Sequence, residues 1–378
     1  MRKSILFLAS HPMSLQTFML PHIRRLDAFY DISLMANFED GTVPAKLGLD
    51  IDIESLPIVR KIDGLRDIKA LWFLFRFLRK KQFNAIHTIT PKAAFIGMLA
   101  SWAAGVPIRT HSFTGQVWAN KKGLKRVVLK FFDKVTSILA TDLLIDSPSQ
   151  KDFLIKEGVV SNLNSDVLGS GSICGVNVDR FSQNERVKSE IRDELRTSVD
   201  AIVCLYLGRL NRDKGVLDLA RAFAQVSDKH PLAELWVVGP DESDCYSEMQ
   251  VLLGKAANSV KRIGFTSTPE RYMQAADLFC LPSYREGFGS SVIEAAACGV
   301  PALASRIYGL TDAVVEGQTG WMHNAGDVQD LAEKLDYLLA APAELALKGE
   351  AAREYVENYF AEEIVTDAML QFYQKRLS

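Results

Sequence analysis

The chain has 378 residues, 48% of them hydrophobic and 24% charged, and its formal net charge at pH 7 is −2. This length exceeds one ordinary core and suits two domains, and the composition is that of a globular protein. We expect no transmembrane helix, because no apolar run approaches the ~20 residues that cross a bilayer.

The charge is divided unevenly along the chain. Residues 1–178 contain 23 Lys and Arg against 15 Asp and Glu, a net +8, whereas residues 179–378 contain 21 against 31, a net −10. The first half is therefore expected to face an anionic partner: nucleic acid, an acidic membrane surface or a phosphorylated acceptor. Five cysteines without CxxC spacing indicate a reducing compartment, the cytoplasm, and no structural zinc.

The first half alternates apolar runs with helical patterns, beginning with a strand at 4–9. This run is too short for a signal peptide, whose apolar region spans ~7–15 residues. Such alternation predicts a parallel sheet covered by helices. The other predicted strands are 32–36, 84–89, 106–112 and 142–147, and the predicted helices are 17–28, 67–79, 92–104 and 124–140.

The second half repeats this scheme, and a glycine-rich segment separates the two halves. Its predicted strands are 201–208, 233–239, 260–264, 277–282 and 301–305, with a helix at 216–226. We predict a domain at 1–168, a hinge at 169–186 and a second domain at 187–358. A C-terminal helix, 359–378, within a helical pattern from Ala351 to Leu377, is expected to cross back to the first domain.

The hinge also allows another interpretation. Gly169, Gly171 and Gly175 resemble a dinucleotide-binding fingerprint, which would indicate an oxidoreductase. The third glycine is displaced, however, and no helix start follows it, so the hinge is the preferred interpretation.

The segment from Leu281 to Pro301 predicts a strand, a glycine loop and a helix. Ser291 and Glu294 have the spacing of a capping box. The backbone N–H groups at the helix start would bind a diphosphate, because free donors and the helix dipole both favour anions. These groups belong to Gly287, Phe288, Gly289 and Ser290.

Glu286 and Glu294 flank that predicted anion site. A carboxylate beside a diphosphate is unfavourable unless it accepts hydrogen bonds from hydroxyl groups. A sugar supplies hydroxyls at one end of a sugar nucleotide, and a ribose supplies them at the other. The alternative for Glu294 is a purely structural capping role.

A second cluster, Gly208 to Gly215, follows a predicted strand and precedes a helix. Ligands bind at that edge of open parallel sheets. Arg209 and Lys214 lie in this loop and are suited to neutralise a departing diphosphate, so we predict that they are catalytic together with Glu286.

These motifs, together with the Glu316–Trp321 run, resemble the retaining glycosyltransferases of family 4, which have the GT-B fold. The resemblance implies an α/β protein with two Rossmann-like domains whose parallel sheets face each other across a cleft. It also implies that Glu286 contacts the transferred sugar and Glu294 the ribose. Gly208, Arg209 and Lys214 would bind the diphosphate, and Gly264 with Phe265 would receive the nucleobase.

The N-terminal half resembles the family more loosely. The run from His87 to Lys92 is similar to a His-Thr-x-Thr-Pro-Lys run of bacterial surface-polysaccharide enzymes. Many members have a histidine directly before the glycine that corresponds to Gly115, but this chain has Thr114 there. The predicted acceptor-side residues are Ser14, His111, Thr114 and Gly115, and packing alone is the alternative role for His111.

No metal or other cofactor is expected. Asp50 and Asp52 have DxD spacing but lie in an alternating segment without the glycine or aromatic context of a metal site. Two basic helical patterns, at 67–79 and 124–140, carry apolar stripes and suit an anionic membrane surface, although a sheet-covering helix with a solvated edge has the same pattern. No nucleic-acid motif is present.

The sequence thus predicts a retaining glycosyltransferase, cytoplasmic and peripheral on the inner face of the membrane. It would transfer a hexosyl or acetamidohexosyl group from a UDP-sugar to a lipid-linked saccharide in surface polysaccharide biosynthesis. The alternatives are a sugar-nucleotide epimerase or phosphorylase that uses the same cleft, and a non-catalytic nucleotide-sugar-binding subunit.

Overall fold

The computed structural model describes residues 2–38, 51–59 and 63–378. The chain divides into two compact units. The first unit is Met1–Gly175 with Glu362–Ser378, and the second unit is Val176–Ala361. Each unit has its own parallel sheet and its own hydrophobic cores.

The first unit is built on seven parallel strands in the order β3-β2-β1-β4-β5-β6-β7. The strands are β1 (Ser4–Leu8), β2 (Asp31–Ala36), β3 (Asp52–Ser55), β4 (Ala85–Ile89), β5 (Ile108–Phe113), β6 (Asp142–Ile145) and β7 (Ser165–Val167). The helices between them are α1 (Pro12–Ser14), α2 (Leu20–Asp27), α3 (Gly64–Lys81), α4 (Pro91–Ala104), α5 (Gly123–Leu139) and α6 (Pro148–Lys156).

Both faces of this sheet are covered. Leu6 and Leu8 belong to the core on one face, and Ile5 and Phe7 belong to the core on the other. Successive side chains of a strand point to opposite faces, so a strand with two buried faces is a continuous apolar run. This explains why β1 resembles the apolar part of a signal peptide in sequence.

The second unit has six parallel strands in the order β10-β9-β8-β11-β12-β13. The strands are β8 (Ile202–Leu207), β9 (Ala233–Val238), β10 (Val260–Ile263), β11 (Leu278–Leu281), β12 (Ala302–Ser305) and β13 (Gly320–His323). The helices are α7 (Glu185–Glu194), α8 (Val216–Val226), α9 (Cys245–Leu253), α10 (Pro269–Ala275), α11 (Ser290–Ala297), α12 (Leu310–Ala313), α13 (Val328–Leu339) and α14 (Pro342–Tyr359).

The strand order fixes where ligands bind in each unit. Both sheets contain the Rossmann order 3-2-1-4-5-6, which reverses direction between the first and fourth strands. In the second unit this switch point lies between β8 and β11, and in the first unit it lies between β1 and β4. The predicted fold class, two Rossmann-like α/β units, is confirmed.

The C-terminal helical pattern is two helices rather than one. α14 ends at Tyr359, and α15 (Glu362–Arg376) belongs to the first unit, where it packs on α2. The interruption coincides with two long-range contacts: the fully buried Phe360 ring packs on Phe288, and the Phe360 carbonyl accepts a hydrogen bond from the Val176 N–H at 2.8 Å. The helical pattern from Ala351 to Leu377 therefore spans two helices, and the helix expected at 359–378 corresponds to α15.

Two short strands of the first unit were not predicted from the sequence. β3 and β7, which are four and three residues long, lack the apolar runs used to predict strands.

Among the described residues, none of the helices combines the length and hydrophobicity that a bilayer span requires, and no cluster of three potential metal ligands is found. Asp50 of the DxD pair lies outside the described residues.

Candidate functional site

The two glycine loops of the second unit meet at its switch point. One loop follows β8 and contains Gly208 to Gly215, and the other follows β11 and contains Pro282 to Gly289. Gly215 has a φ of 68°, and a Cβ atom placed on it would lie 1.9 Å from the Pro282 carbonyl oxygen. The two loops therefore pack backbone against backbone, which only glycine permits.

Lys214 and Glu286 form an ion pair across these loops. The Lys214 Nζ donates to Glu286 Oε1 at 2.6 Å, and the Ser283 hydroxyl donates to the same oxygen at 2.7 Å. The two side chains of the ion pair are only 23% and 13% exposed. Both donors bind Oε1, so Oε2 of Glu286 accepts nothing from the described residues. Two of the three predicted catalytic residues are thus in direct contact.

Arg209, the third predicted catalytic residue, has a different partner. Its Nη1 donates to both carboxylate oxygens of Glu242, at 3.1 and 3.2 Å. Glu242 lies in the loop after β9, the strand that pairs with β8. The sequence analysis did not identify Glu242, because nothing in its local pattern indicates that β9 neighbours β8.

The start of α11 lies at the end of the second glycine loop. The N-cap of this helix is Gly289, with a φ of 90° and no side-chain cap. Ser291 and Glu294 are therefore both inside the helix, and the predicted capping box was wrong. The Phe288 side chain is buried in the core, so only its backbone faces this site. The Val292 N–H donates to the Gly289 carbonyl at 2.8 Å, so the first-turn N–H groups that suit an anion are those of Ser290 and Ser291.

Glu294 is a partly buried carboxyl without a side-chain hydrogen bond to the described residues. Burial raises its pKa to about 7; the nearby Arg180 lowers the pKa and Glu270 raises it further. Arg180 is itself paired with Glu270 at 2.8 Å. A carboxyl in these surroundings gains from polar hydrogen-bond donors such as hydroxyl groups. Arg180 and Glu270 are further residues that sequence analysis missed.

Gly264 and Phe265, the predicted nucleobase segment, follow β10 at the same edge of the sheet. The Gly264 carbonyl accepts a hydrogen bond from the Gly239 N–H at 3.1 Å. The Phe265 ring is 77% exposed, which is unusual for a phenylalanine. An exposed aromatic ring provides a surface for stacking a base.

The switch point of the first unit has polar side chains in both of its loops. The Ser10 N–H donates to Thr90 Oγ1 at 3.0 Å, which joins the loops after β1 and β4. Thr90 has a φ of 77°, an outlier for a β-branched residue, and such strain is concentrated at functional sites. Ser14, predicted on the acceptor side, ends α1 beyond the β1 loop.

His111 is buried and neutral at the end of β5. Burial lowers its pKa to about 4, against an opposing hydrogen bond to the Thr88 carbonyl. Its Nδ1 lies 3.0 Å from that carbonyl oxygen and 3.0 Å from the Thr88 hydroxyl oxygen. His111 lines a small pocket with Thr114, Gly115 and Asp133, so three of the four predicted acceptor-side residues lie together.

Two carboxyls of the first unit escaped the sequence analysis. Burial raises the pKa of Asp133 to about 6 and that of Asp146 to about 8. Asp133 accepts a hydrogen bond from the Trp118 indole, which opposes the rise. Asp146 directly follows β6, at the same sheet edge as His111. The position of Asp146 after an apolar strand was its only sequence signal, whereas Asp133 lies within α5.

The His87–Lys92 run is largely structural. The two ring nitrogens of His87 contact Tyr373 Oη at 2.8 Å and Ser112 Oγ at 2.7 Å, which ties α15 to the sheet. The Lys92 ammonium lies 2.6 Å from Asp67. The run therefore builds the sheet edge, with its C-terminal residues next to the pocket of His111.

The fold and this site define a class of protein. The protein has two Rossmann-like units. One of them has an Arg and a Lys in the loop after its first strand, and a Glu-x7-Glu pair beside a helix start. These features are those of a GT-B glycosyltransferase. The family descriptions "Glycosyl transferase 4-like domain" and "Glycosyl transferases group 1" match residues 23–164 and 187–358 respectively.

Two similar proteins are also named as glycosyltransferases. The chain is 30% identical to the capsular polysaccharide biosynthesis glycosyltransferase CapM of Staphylococcus aureus over 319 residues, 84% of this chain and 83% of CapM. It is 24% identical to an Escherichia coli UDP-Gal:alpha-D-GlcNAc-diphosphoundecaprenol alpha-1,3-galactosyltransferase over 312 residues, 81% of this chain and 79% of that enzyme. The protein belongs to the family 4 GT-B glycosyltransferases and acts in the synthesis of capsular or other cell-surface polysaccharide.

Solved structures share the fold. Anabaena HepE in complex with UDP and glucose has a TM-score of 0.82 at 19% identity, with 99% of this chain and 100% of that chain covered. Sucrose-phosphate synthase of Thermosynechococcus elongatus has a TM-score of 0.81 at 22% identity, with 99% of both chains covered.

Proposed function

We propose that this glycosyltransferase uses a UDP-sugar as donor and transfers a hexosyl or acetamidohexosyl group, with retention of configuration, to a lipid-linked saccharide. The Lys214–Glu286 contact beside the start of α11 carries the proposal. A cation and a set of free N–H groups suit a diphosphate, and a carboxylate with one unoccupied oxygen suits a sugar hydroxyl. The printed names of two similar proteins, the E. coli galactosyltransferase and the HepE complexes, also mention UDP or UDP-Gal.

The site suggests how the bond between the sugar and the phosphate is broken. As that bond breaks, negative charge grows on the departing diphosphate, and Arg209, Lys214 and the N–H groups of α11 stabilise it. Glu286 holds the sugar while the acceptor hydroxyl attacks the same face. The acceptor proton passes to the departing phosphate, so a new glycosidic bond and free UDP are formed. No metal is needed for this charge balance.

A melting-temperature panel with UDP, GDP and ADP tests the donor. A ligand that binds only the folded protein raises its stability by about 2.7 kcal/mol at a hundredfold excess over Kd. UDP should raise the Tm, and Lys214→Met should reduce the rise. Lys229→Met is the matched control, because Lys229 pairs with Asp336 elsewhere in the second unit. A rise with GDP or ADP but not with UDP would show that the uridine assignment is wrong.

A transfer assay tests the reaction. Radiolabelled sugar from the UDP-sugar should appear in a lipid-linked saccharide, together with UDP, and NMR of the product should show the donor's anomeric configuration. Isomerised donor without transfer would indicate an epimerase. Unchanged glycan synthesis by the Glu286→Ala variant in cells would indicate a non-catalytic binding subunit.

The first unit provides a surface that suits an anionic membrane. α3 packs on α4 and α4 on α5, and we name the exposed apolar residues of these three helices the apolar face. They are Leu65, Ile68, Trp72, Phe73, Trp102, Leu124, Val127, Val128, Phe131 and Ile138. α3 contains six Lys and Arg against one Asp, and α5 contains four against one. We propose that this face holds the enzyme peripherally on the cytoplasmic leaflet, where a lipid-linked acceptor resides.

Vesicle flotation tests this surface. The protein should float with phosphatidylglycerol-containing vesicles at low salt, and less with phosphatidylcholine alone or at high salt. The double variant Trp72→Ser, Leu124→Ser should lose flotation. Leu347→Ser serves as control because Leu347, on α14, is equally exposed in the other unit. Unchanged flotation of the double variant would contradict the assignment of the surface.

A further inference from the structure

The loop after β9 is bound tightly to the loop that carries Arg209. The Leu210 N–H donates to the Pro240 carbonyl at 2.8 Å, and the Glu242 N–H donates back to the Leu210 carbonyl at 3.2 Å. A Cβ atom on Gly239, whose φ is 129°, would lie 2.1 Å from the Gly208 carbonyl oxygen. The position of Glu242 beside Arg209 is therefore set by the backbone and does not depend on a flexible side chain alone.

The Glu242 carboxylate contacts two side chains of the neighbouring loop. Besides Arg209, it accepts a hydrogen bond from Asn211 Nδ2 at 3.3 Å. Asn211 in turn accepts the Lys214 N–H on its Oδ1 at 3.2 Å. Glu242 thus contacts the loop that carries both predicted diphosphate-binding cations.

The Arg209–Glu242 pair is weak enough to exchange. The two side chains are 49% and 39% exposed, and such exposed pairs contribute about 0–1 kcal/mol. The Lys214–Glu286 pair is much less exposed and has the Ser283 hydroxyl in addition. The two ion pairs at this edge of the sheet therefore differ in how readily a ligand can replace one partner.

We propose that Glu242 is a counter-ion that the diphosphate of the nucleotide displaces from Arg209, and that it thereby sets how tightly the nucleotide is held and how fast UDP leaves. This inference rests on the proposed function, because it needs Arg209 to bind the diphosphate. A diphosphate bears more negative charge than one carboxylate and offers Arg a bidentate contact. Breaking the Arg209–Glu242 ion pair costs part of the binding free energy, so the pair weakens nucleotide binding through Arg209.

Glutamine at position 242 keeps the shape and removes the charge. In isothermal titration calorimetry at low ionic strength, Glu242→Gln should bind UDP about 2–5-fold more tightly, the equivalent of one exposed pair. The KM for the donor should fall by a similar factor, without a rise in kcat. Glu242→Ala should change the UDP affinity in the same direction.

The control variant is Glu248→Gln. Glu248 pairs with Arg212 at 2.6 Å, so this variant also removes one negative charge near the loop, but away from Arg209. Its UDP affinity should stay close to that of the natural protein. Equal gains for Glu248→Gln and Glu242→Gln would mean a general charge effect and would overturn the counter-ion role.

A double-mutant cycle separates this inference from the proposed function. Arg209→Gln should weaken UDP binding, and in that background Glu242→Gln should have no further effect on affinity. If Arg209→Gln weakens binding while Glu242→Gln leaves it unchanged or also weakens it, only the counter-ion role fails. If Arg209→Gln leaves UDP binding unchanged, the proposed diphosphate site itself is wrong.

Discussion

The two parallel sheets share a strand order, yet their carboxyl edges differ in chemistry. The edge of the second unit has exposed or partly exposed ion pairs, Arg209–Glu242 and Lys214–Glu286. The edge of the first unit has buried groups held close to neutral, such as His111 and Asp146. One scaffold therefore offers exchangeable charges in one unit and uncharged hydrogen-bonding groups in the other, which suit a diphosphate and a saccharide respectively.

The largest expected effect is on the charged edge. Glu286→Gln removes the charge that pairs with Lys214 but keeps the shape of the side chain. We expect kcat to fall by about 10²–10³-fold, the range seen when one electrostatic contact to a transition state is removed. The Kd for UDP should change little, because Glu286 is assigned to the sugar. A comparable loss of kcat and of UDP affinity, measured by transfer assay and calorimetry, would mean that Glu286 positions Lys214 for the nucleotide rather than holding the sugar.

The next effect is on stability. Gly215→Ala should destabilise the protein by about 2–4 kcal/mol, because it combines left-handed strain with a clash against the Pro282 carbonyl. The control is Gly105→Ala in the first unit, where φ is 78° but no atom lies within 4 Å. That variant should lose only about 1 kcal/mol in denaturant unfolding. Equal losses would mean that the two glycine loops are not closely packed.

Glu294 gives a pH-dependent test. Its folded pKa of about 7 lies above the ordinary value of 4.5, so the ionised carboxyl costs stability as the pH rises through this window. Glu294→Gln should therefore stabilise the protein by about 1–3 kcal/mol at pH 8, and by less as the pH falls towards 5. The same variant should bind UDP more weakly.

Melting curves at the two pH values, with and without UDP, measure both effects. A stabilisation that does not depend on pH would show that the carboxyl is not the cause. Unchanged UDP affinity would leave Glu294 with a structural role only.

The smallest effect concerns the first unit. Tyr373→Phe removes the hydroxyl that contacts His87 and should cost about 1 kcal/mol of stability. UDP affinity should be unchanged, because Tyr373 belongs to the first unit. The control is Tyr359→Phe. Tyr359 is the half-exposed last residue of α14, and its replacement should leave both stability and UDP affinity unchanged. A change in UDP affinity for Tyr373→Phe would mean that the units do not have separate roles.

The sequence by itself determined the alternation of strands and helices, the two-unit architecture and the family. Parallel strands that are buried on both faces must be apolar on both faces, and this requirement leaves a local pattern in the sequence. Where a ligand approaches the backbone at the end of a strand, glycine is needed in the following loop, and this leaves a second local pattern. Lys214 and Glu286 could be assigned to one site for the same reason, since each follows a strand at the switch point. The site roles themselves stay predictions.

Only the tertiary structure decided which groups meet. Arg209 pairs with Glu242 because β9 lies beside β8, a neighbour relation with no local signal. The pKa of Glu294 depends on Arg180 and Glu270, which come from distant segments. The C-terminal helix is interrupted at Phe360, where that residue packs on Phe288 and its carbonyl pairs with the Val176 N–H. Local pattern sets burial and strand ends, whereas charge partners and pKa values follow from long-range packing.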